Sequence, residues 1–126
     1  MWTVRKVVEF DSAHHLPDHP GKCKRLHGHR WKVVIEVAAA ELDGEGMVCD
    51  FGELGRPVKE LDHAYLNDVP PFDTTPPTAE NLAKWVVDQV RPLVPNACRV
   101  MATVSETPGN DASFLWVRDF CEAGLP

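Results

Sequence analysis

The order of two kinds of hydrophobic periodicity constrains this chain more than any other sequence feature. Apolar residues alternate with other residues along Trp2 to Phe10, broken only at Lys6, and again along Trp31 to Ala39, and each run predicts a β-strand. Between them, residues Asp11 to Gly28 are too irregular for a regular element and too long for a tight hairpin. We therefore expect two strands joined by a functional loop.

The middle of the chain has helical periodicity. Asp50, with Glu53 three residues later, resembles an N-cap and its capping-box partner after strand-like residues Met47 to Asp50, although Pro57 is a second candidate start. The apolar stripe of this first helix consists of Leu54, Val58, Leu61 and Tyr65. Thr78 is expected to cap a second helix, which Pro92 ends near Arg91.

Alternation returns at the C-terminal end of the chain. Cys98 to Val104 form one such run, and the turn-like residues Pro108 to Asp111 precede a second, with apolar side chains at Phe114, Trp116 and Phe120. The element order is therefore β-β-α-α-β-β, which predicts an α+β fold: a four-stranded antiparallel sheet with two helices on one face. A length of 126 residues with 44% hydrophobic residues predicts one domain over residues 1–126.

Charge argues against large polyanionic partners. The net charge of −6 predicts no nucleic-acid or anionic-membrane binding, and no apolar run approaches the length of a membrane span. The N-terminus lacks the apolar region of a signal peptide, so we expect a cytoplasmic protein. One segment, Gly21 to Ile35, has no acidic residue and predicts a site for a compact anion. Its cations are Lys22, Lys24, Arg25, Arg30 and Lys32.

The four cysteines show no metal-type pairing. They stand at positions 23, 49, 98 and 121, without a C-x-x-C motif and without the density of a secreted disulfide scaffold. The last three lie in apolar, strand-like surroundings and are interpreted as reduced core thiols. Cys23 differs from these three because it lies in the basic segment, between Lys22 and Lys24.

Five of the six histidines fall between positions 14 and 29. His27 and His29 stand two apart at the entry to the second strand, so their side chains project from one face, and strand pairing can bring His14 to them. Three histidines without a fourth protein ligand are typical of an open, catalytic zinc site. The alternative is a pair of exposed polar side chains at a strand end. His15 is interpreted as a solvent-facing neighbour.

Cys23 and two carboxylate positions are further candidates. Lys22, Lys24 and Arg25 surround Cys23, and neighbouring cations favour the thiolate that acts as nucleophile or base. Cys23 could instead be an exposed loop thiol or a fourth zinc ligand that closes a structural site. Asp62 and His63 form either a proton relay or a polar helix end. Glu106 ends a strand whose even positions are apolar, where a carboxylate needs a partner or a ligand.

Together these residues resemble a known family. The motifs that carry the resemblance are Phe10-Asp11-Ser12-Ala13-His14-His15-Leu16-Pro17, Cys23-Lys24-Arg25-Leu26-His27-Gly28-His29, Leu61-Asp62-His63-Ala64-Tyr65-Leu66-Asn67-Asp68, Pro77-Thr78-Ala79-Glu80-Asn81-Leu82-Ala83 and Ser105-Glu106-Thr107. They closely resemble the 6-pyruvoyl-tetrahydropterin synthase/6-carboxytetrahydropterin synthase family. The resemblance implies the tunnelling fold (T-fold) and a homohexamer, a dimer of trimers.

The resemblance also implies an activity. Only three residues separate Cys23 from His27-Gly28-His29, as in the carboxy branch, where the pyruvoyl branch generally has five. That branch implies a zinc lyase converting 7,8-dihydroneopterin triphosphate to 6-carboxy-5,6,7,8-tetrahydropterin, acetaldehyde and triphosphate, in queuosine-type 7-deazaguanine biosynthesis. Two alternatives remain open: triphosphate elimination by a pyruvoyl synthase, and a non-catalytic module with structural zinc on one cysteine and three histidines.

The same resemblance implies roles for individual residues. His14, His27 and His29 would bind zinc, Cys23 would accept a proton, and Asp62 with His63 would relay protons. Glu106 would anchor the pterin ring or join the relay. The remaining substrate contacts are assigned to Thr107, Lys22, Lys24 and Arg25.

Overall fold

The computed structural model describes residues 1–119 and 121 and confirms the α+β class. Its strands are β1 (Trp2–His14), β2 (His27–Ala39), β3 (Ala64–Tyr65), β4 (Arg99–Thr107) and β5 (Asn110–Val117), and its helices are α1 (Phe51–Lys59) and α2 (Ala79–Val90). Short 3-10 segments cover Lys22–Lys24, Leu66–Asp68 and Arg91–Leu93. Within these described residues, every helix is too short or too polar to cross a membrane.

The sheet has five strands in the order β3-β1-β2-β4-β5, so the prediction of four strands was wrong by one. The added strand, β3, pairs parallel to β1 through Ser12–Ala64 and Ala13–Tyr65, whereas the other neighbours are antiparallel. Two residues are too few to produce a period-2 pattern, which is why the sequence does not reveal this strand. Both long N-terminal strands also extend into the predicted loop, which shrinks to residues 15–26.

The hydrophobic core lies between one face of the sheet and the two helices. Side chains at alternate positions of β2, including Trp31, Val33 and Ile35, are almost fully buried against Leu82 and Val86 of α2. Trp31 also donates its indole N–H to the Ser12 carbonyl oxygen at 3.2 Å, so its one polar group is satisfied inside the core. The opposite face of the sheet is exposed or half-buried except at Ala38 near the end of β2.

Helix α1 begins where the capping signal predicts and ends earlier than the stripe suggests. The Asp50 carboxylate accepts the Gly52 N–H at 2.7 Å, which confirms the N-cap, while Pro57 lies inside the helix. The chain leaves the helix after Lys59, so Leu61 and Tyr65 are not helical, and Met47 to Asp50 form no strand. Gly55 permits close packing, because a Cβ there would lie only 3.2 Å from Val8 Cγ2 of β1.

Helix α2 matches its prediction. The Thr78 hydroxyl accepts the Asn81 N–H at 3.2 Å as the N-cap, and the helix ends at Val90, two residues before Pro92. Pro92 itself lies in the 3-10 segment that follows. The sequence therefore specifies both ends of this helix.

The C-terminal hairpin corrects the cysteine interpretation. Cys98 and Cys121 form a disulfide, so they are not the reduced core thiols that were expected. Arg118 holds this end of the chain: its N–H donates to the Cys98 carbonyl oxygen, its guanidinium donates to the Ala97 and Pro95 carbonyl oxygens, and its own carbonyl oxygen accepts the Cys121 N–H at 3.3 Å. Cys49 is free and half-buried, and burial raises the pKa of its thiol. Phe120, predicted for the last strand, lies outside the described residues.

The packing of α1 gives a stability prediction. Leu54 is fully buried, so Leu54→Ala should lower the free energy of unfolding by about 2–5 kcal/mol, because it removes buried methyl groups and leaves a cavity. Phe51, on the same helix, is half exposed and is the matched control: Phe51→Ala should cost no more than about 0.5 kcal/mol. Urea unfolding at fixed protomer concentration measures both. Equal losses would show that α1 does not pack as described.

Candidate metal centre

Three histidines and one carboxylate meet at the end of the β1–β2 pair. His14, the last residue of β1, is paired directly with His27, the first of β2, and His29 follows on the same face. Glu106, near the end of β4, completes the group. One ligand atom from each of the four side chains lies within 4.8 Å of the other three. This group could hold a metal ion.

Backbone carbonyls set the orientation of two imidazole rings. His14 Nδ1 donates to the Pro77 carbonyl oxygen at 2.8 Å, and His27 Nδ1 donates to the Arg25 carbonyl oxygen at 2.6 Å. Since a carbonyl only accepts, the proton of each neutral ring is on Nδ1 and the lone pair is on Nε2. Burial lowers the pKa of His14, which favours this neutral form.

The Glu106 carboxylate lies among the three Nε2 atoms. Its Oε1 is 3.0 Å from His14 Nε2, 2.8 Å from His29 Nε2 and 3.7 Å from His27 Nε2. The short contact to His29 is not aligned as a hydrogen bond, and among the described residues the buried His29 Nε2 has no hydrogen-bond partner. The contact between His14 Nε2 and Oε1 has hydrogen-bond geometry, which needs a proton on that nitrogen. Where an imidazole lone pair faces the anionic oxygen instead, a cation between the two atoms removes the repulsion. Three imidazoles and a carboxylate are a donor set that fits zinc.

The indole of Trp31 forms the floor of this centre. Its ring centroid lies 4.9 Å from that of His14 and 5.4 Å from that of His29, edge to face in both pairs. The His14 and His27 rings are themselves only 4.4 Å apart. Because Trp31 is completely buried, the imidazoles rest on a surface that restricts their rotation. The ligand geometry is therefore set by the core.

Cys23 lies beside this group but outside it. It occupies the 3-10 segment of the loop, half-buried, and its carbonyl oxygen accepts the Leu16 N–H at 2.7 Å. Among the described residues, the ligand atoms that converge do not include the Cys23 thiol. Glu106 lies where a fourth ligand would be, so the geometry disfavours a structural site of one cysteine and three histidines. Lys22, Lys24 and Arg25 are exposed around the thiol.

Asp62 and His63 also lie outside this group. They follow α1 in a turn, where Asp62 Oδ1 accepts the Asp11 N–H at 2.8 Å and the His63 N–H donates to the Asp11 carbonyl oxygen at 2.7 Å. The His63 side chain is 82% exposed, with Nε2 3.5 Å from Asp62 Oδ2. It borders a shallow surface pocket with Asp11, Arg30 and the cluster residue His29. Among the described residues, the ligand atoms that converge at the metal centre do not include those of Asp62 or His63.

The basic segment is divided between two places. Strand alternation directs Arg30 and Lys32 to the outer face, where the Arg30 guanidinium lies 3.2 Å from Asp11 Oδ1 and 3.6 Å from Glu9 Oε2. The hydrogen bond from Arg30 lowers the pKa of Asp11. Arg30 and Lys32 on β2 are therefore separated from Lys22, Lys24 and Arg25, which lie in the loop before β2. Thr107 is used within the hairpin, since its hydroxyl accepts the Asn110 side-chain N–H at 2.7 Å.

Sequence reasoning missed two groups that support the centre. The Pro77 carbonyl holds His14, and a backbone carbonyl leaves no residue-type signal to find. Asn67 clamps the residue after His14, because its side chain accepts the His15 N–H at 2.9 Å and donates to the His15 carbonyl oxygen at 3.0 Å. The His15 ring, expected in solvent, is half-buried and hydrogen-bonded to Tyr65.

A sheet with helices on one face and three histidines at one end is the arrangement expected of the tunnelling fold that the motif resemblance implies. A sequence model of the family described as 6-pyruvoyl tetrahydropterin synthase matches residues 3–115. The chain belongs to this family, which confirms the resemblance found in its motifs.

Relatives and solved structures agree with this assignment. The chain is 40% identical over 95 residues to the protein named 6-carboxy-5,6,7,8-tetrahydropterin synthase of Synechocystis sp., covering 68% of this chain and 72% of that one. The protein of the same name from Bacillus subtilis is 36% identical over 94 residues, covering 70% and 64%. The structure of Caenorhabditis elegans 6-pyruvoyl tetrahydropterin synthase superposes with a TM-score of 0.72 at 27% identity, covering 90% and 94% of the two chains. The Plasmodium vivax 6-pyruvoyl tetrahydropterin synthase, at 20% identity and a TM-score of 0.68, shares the fold.

The cluster geometry gives a prediction for metal content. His27→Ala should remove the bound metal, because it deletes one of three converging imidazoles. The matched control is His19→Ala, since His19 lies exposed in the adjoining loop and outside the cluster. Elemental analysis of the purified proteins measures both. Stoichiometric metal in the His27→Ala protein would contradict the assignment.

Proposed function

We propose that this chain is a zinc-dependent lyase that converts 7,8-dihydroneopterin triphosphate to 6-carboxy-5,6,7,8-tetrahydropterin, acetaldehyde and triphosphate. The observation that carries the proposal is the convergence of three imidazoles, those of His14, His27 and His29, at one end of the sheet in a chain of this family. We propose that it acts in 7-deazaguanine biosynthesis, as the family resemblance implies.

Two observations favour the carboxy reaction over the pyruvoyl reaction. The relatives at 36–40% identity carry the 6-carboxy name, while the solved structures at 20–27% identity carry the pyruvoyl name. Three residues separate Cys23 from His27-Gly28-His29, which is the spacing of the carboxy branch. Triphosphate elimination, the pyruvoyl reaction, is the second candidate.

Zinc bound by His14, His27 and His29 would polarise the substrate's side-chain oxygens and make the neighbouring C–H bonds more acidic. Cys23 takes the proton. Two hydrogen bonds hold the loop of Cys23 in place. The Cys23 carbonyl oxygen accepts the Leu16 N–H, and the Arg25 carbonyl oxygen accepts the Nδ1–H of His27. These bonds hold the backbone on both sides of the thiol, which limits the positions open to a general base on this loop.

The polar residues around the centre position the substrate. A carboxylate at Glu106 can accept two parallel hydrogen bonds from the amino group and ring N–H of a pterin. Lys22, Lys24 and Arg25 are exposed on the Cys23 loop, where they can bind the triphosphate. We propose these three cations of the basic segment as the triphosphate contacts. Arg30 is left out because it is paired with Glu9 and Asp11 on the other face of the sheet.

The position of His63 bears on the oligomeric state of the protein. The His63 ring is 82% exposed, and within its own protomer it lies outside the cluster of His14, His27, His29 and Glu106. β3 and β5 are the edge strands of the sheet, and such edges pair readily with another subunit. We propose a homohexamer, a dimer of trimers, in which a neighbouring subunit supplies Asp62 and His63 to each site.

The reaction is tested by incubating the zinc-loaded protein with 7,8-dihydroneopterin triphosphate and identifying products by mass spectrometry. The carboxylated tetrahydropterin and an equivalent of acetaldehyde are expected. A 6-pyruvoyl product without acetaldehyde would favour the second candidate, triphosphate elimination. Recovery of unchanged substrate from a protein with full zinc would contradict both.

Shared active sites give a complementation prediction. Cys23→Ala and His63→Ala should each be inactive with zinc retained, because neither residue belongs to the metal cluster. When the two variants are co-expressed, random mixing should restore roughly a quarter of the wild-type activity, since each site needs one intact residue from each of two subunits.

The control pairs Cys23→Ala with His27→Ala, whose defects lie on the same side of the interface. That mixture should recover no activity, because every site then lacks one of the two residues. Activity in the control, or none in the first mixture, would show that the sites are not shared in this way.

A further inference from the structure

We infer that Glu106 is a fourth, displaceable ligand that closes the metal centre until substrate arrives. The inference deepens the proposed function and rests on it, since that function assigns the same carboxylate to the pterin. The observation is the position of Oε1, 2.8–3.7 Å from the Nε2 atoms of all three histidines. An oxygen in that position satisfies the coordination that three histidines leave open.

The local backbone aims Glu106 into the cluster. The register of β4 against β5 shifts between Ser105 and Thr107, so Glu106 lies at a β-bulge, a feature that redirects a side chain. Both flanking residues are fixed by side-chain hydrogen bonds, from Ser105 to Asp111 at 2.6 Å and from Asn110 to Thr107 at 2.7 Å. The carboxylate is thus presented by an ordered hairpin.

The two functions of Glu106 exclude one another. An oxygen held among three imidazoles cannot also accept hydrogen bonds from a pterin ring, and a substrate oxygen needs the position that Oε1 occupies. Substrate binding therefore has to turn Glu106 away from the histidines. The side chain is 28% exposed and borders an open surface pocket with Ala79, Glu80 and Asn110, which gives it room to move.

The test replaces zinc with cobalt(II), whose visible absorption reports its ligands, and uses azide as a probe for an open coordination position. Glu106→Gln keeps the shape of the side chain and removes its negative charge. Glu106→Asp keeps the charge but shortens the side chain by one methylene group, so the carboxylate lies farther from the histidines. Glu80→Gln is the matched control, because Glu80 borders the same pocket and lies outside the cluster. Zinc affinity is measured in parallel by chelator competition.

Glu106→Gln and Glu106→Asp should bind azide at least tenfold more tightly than wild type and zinc at least tenfold more weakly, with an altered cobalt spectrum. Glu80→Gln should match wild type. Azide and zinc affinities within twofold of wild type in both Glu106 variants would overturn the inference, as would a failure of the wild-type protein to bind cobalt. None of these readouts uses turnover. If the wild-type enzyme makes the carboxylated product but the Glu106 variants show unchanged azide and zinc affinities, the proposed function stands and this inference fails. If the affinities change as expected but the wild-type enzyme makes no carboxylated product, the inference stands and the proposed function fails.

Discussion

The antiparallel pairing of β1 with β2 is the interaction on which the centre and the core both depend. Each strand has thirteen residues, and the ladder runs without a shift from Trp2–Ala39 to His14–His27. Because side chains alternate between faces, this register places Phe10, Trp31 and Val33 in the core and the three histidines on the same face at its open end. A slip of one residue would turn His27 and His29 to the other side of the sheet, so burial of the apolar side chains also fixes the ligand geometry.

The centre is rigid because its supports are backbone groups and core side chains. Pro77 and Arg25 hold two imidazoles through carbonyl oxygens, and Trp31 lies beneath the rings. These contacts place unprotonated Nε2 atoms close together at the edge of an apolar core, where repulsion between lone pairs is poorly screened. A cation between these atoms would convert the repulsion into coordination. The register of β1 against β2 is what brings the three imidazoles together.

Periodicity and helix caps are the features that the sequence predicts correctly. Alternation puts His27 and His29 on one face, and Thr78 and Pro92 mark the ends of α2. Features that depend on tertiary contacts leave no such pattern. The two residues of β3 carry no periodicity, and the Cys98–Cys121 disulfide depends on hydrogen bonds of Arg118 that hold the end of the chain beside Cys98. The placement of Glu106 among the histidines depends on a β-bulge. The spacing of Asp62 and His63 likewise cannot show on which side of the sheet they lie, because His63 has a positive φ of 55° in an irregular turn.

Anomalous X-ray diffraction at the zinc absorption edge, on crystals of the protein purified with its native metal, tests the central claim most directly. One strong peak per chain is expected between the Nε2 atoms of His14, His27 and His29, with a carboxylate oxygen of Glu106 bonded to the metal in the substrate-free crystal. A protein whose three imidazoles converge with no anomalous peak between them, or whose peak lies on the Cys23 sulfur, would contradict it.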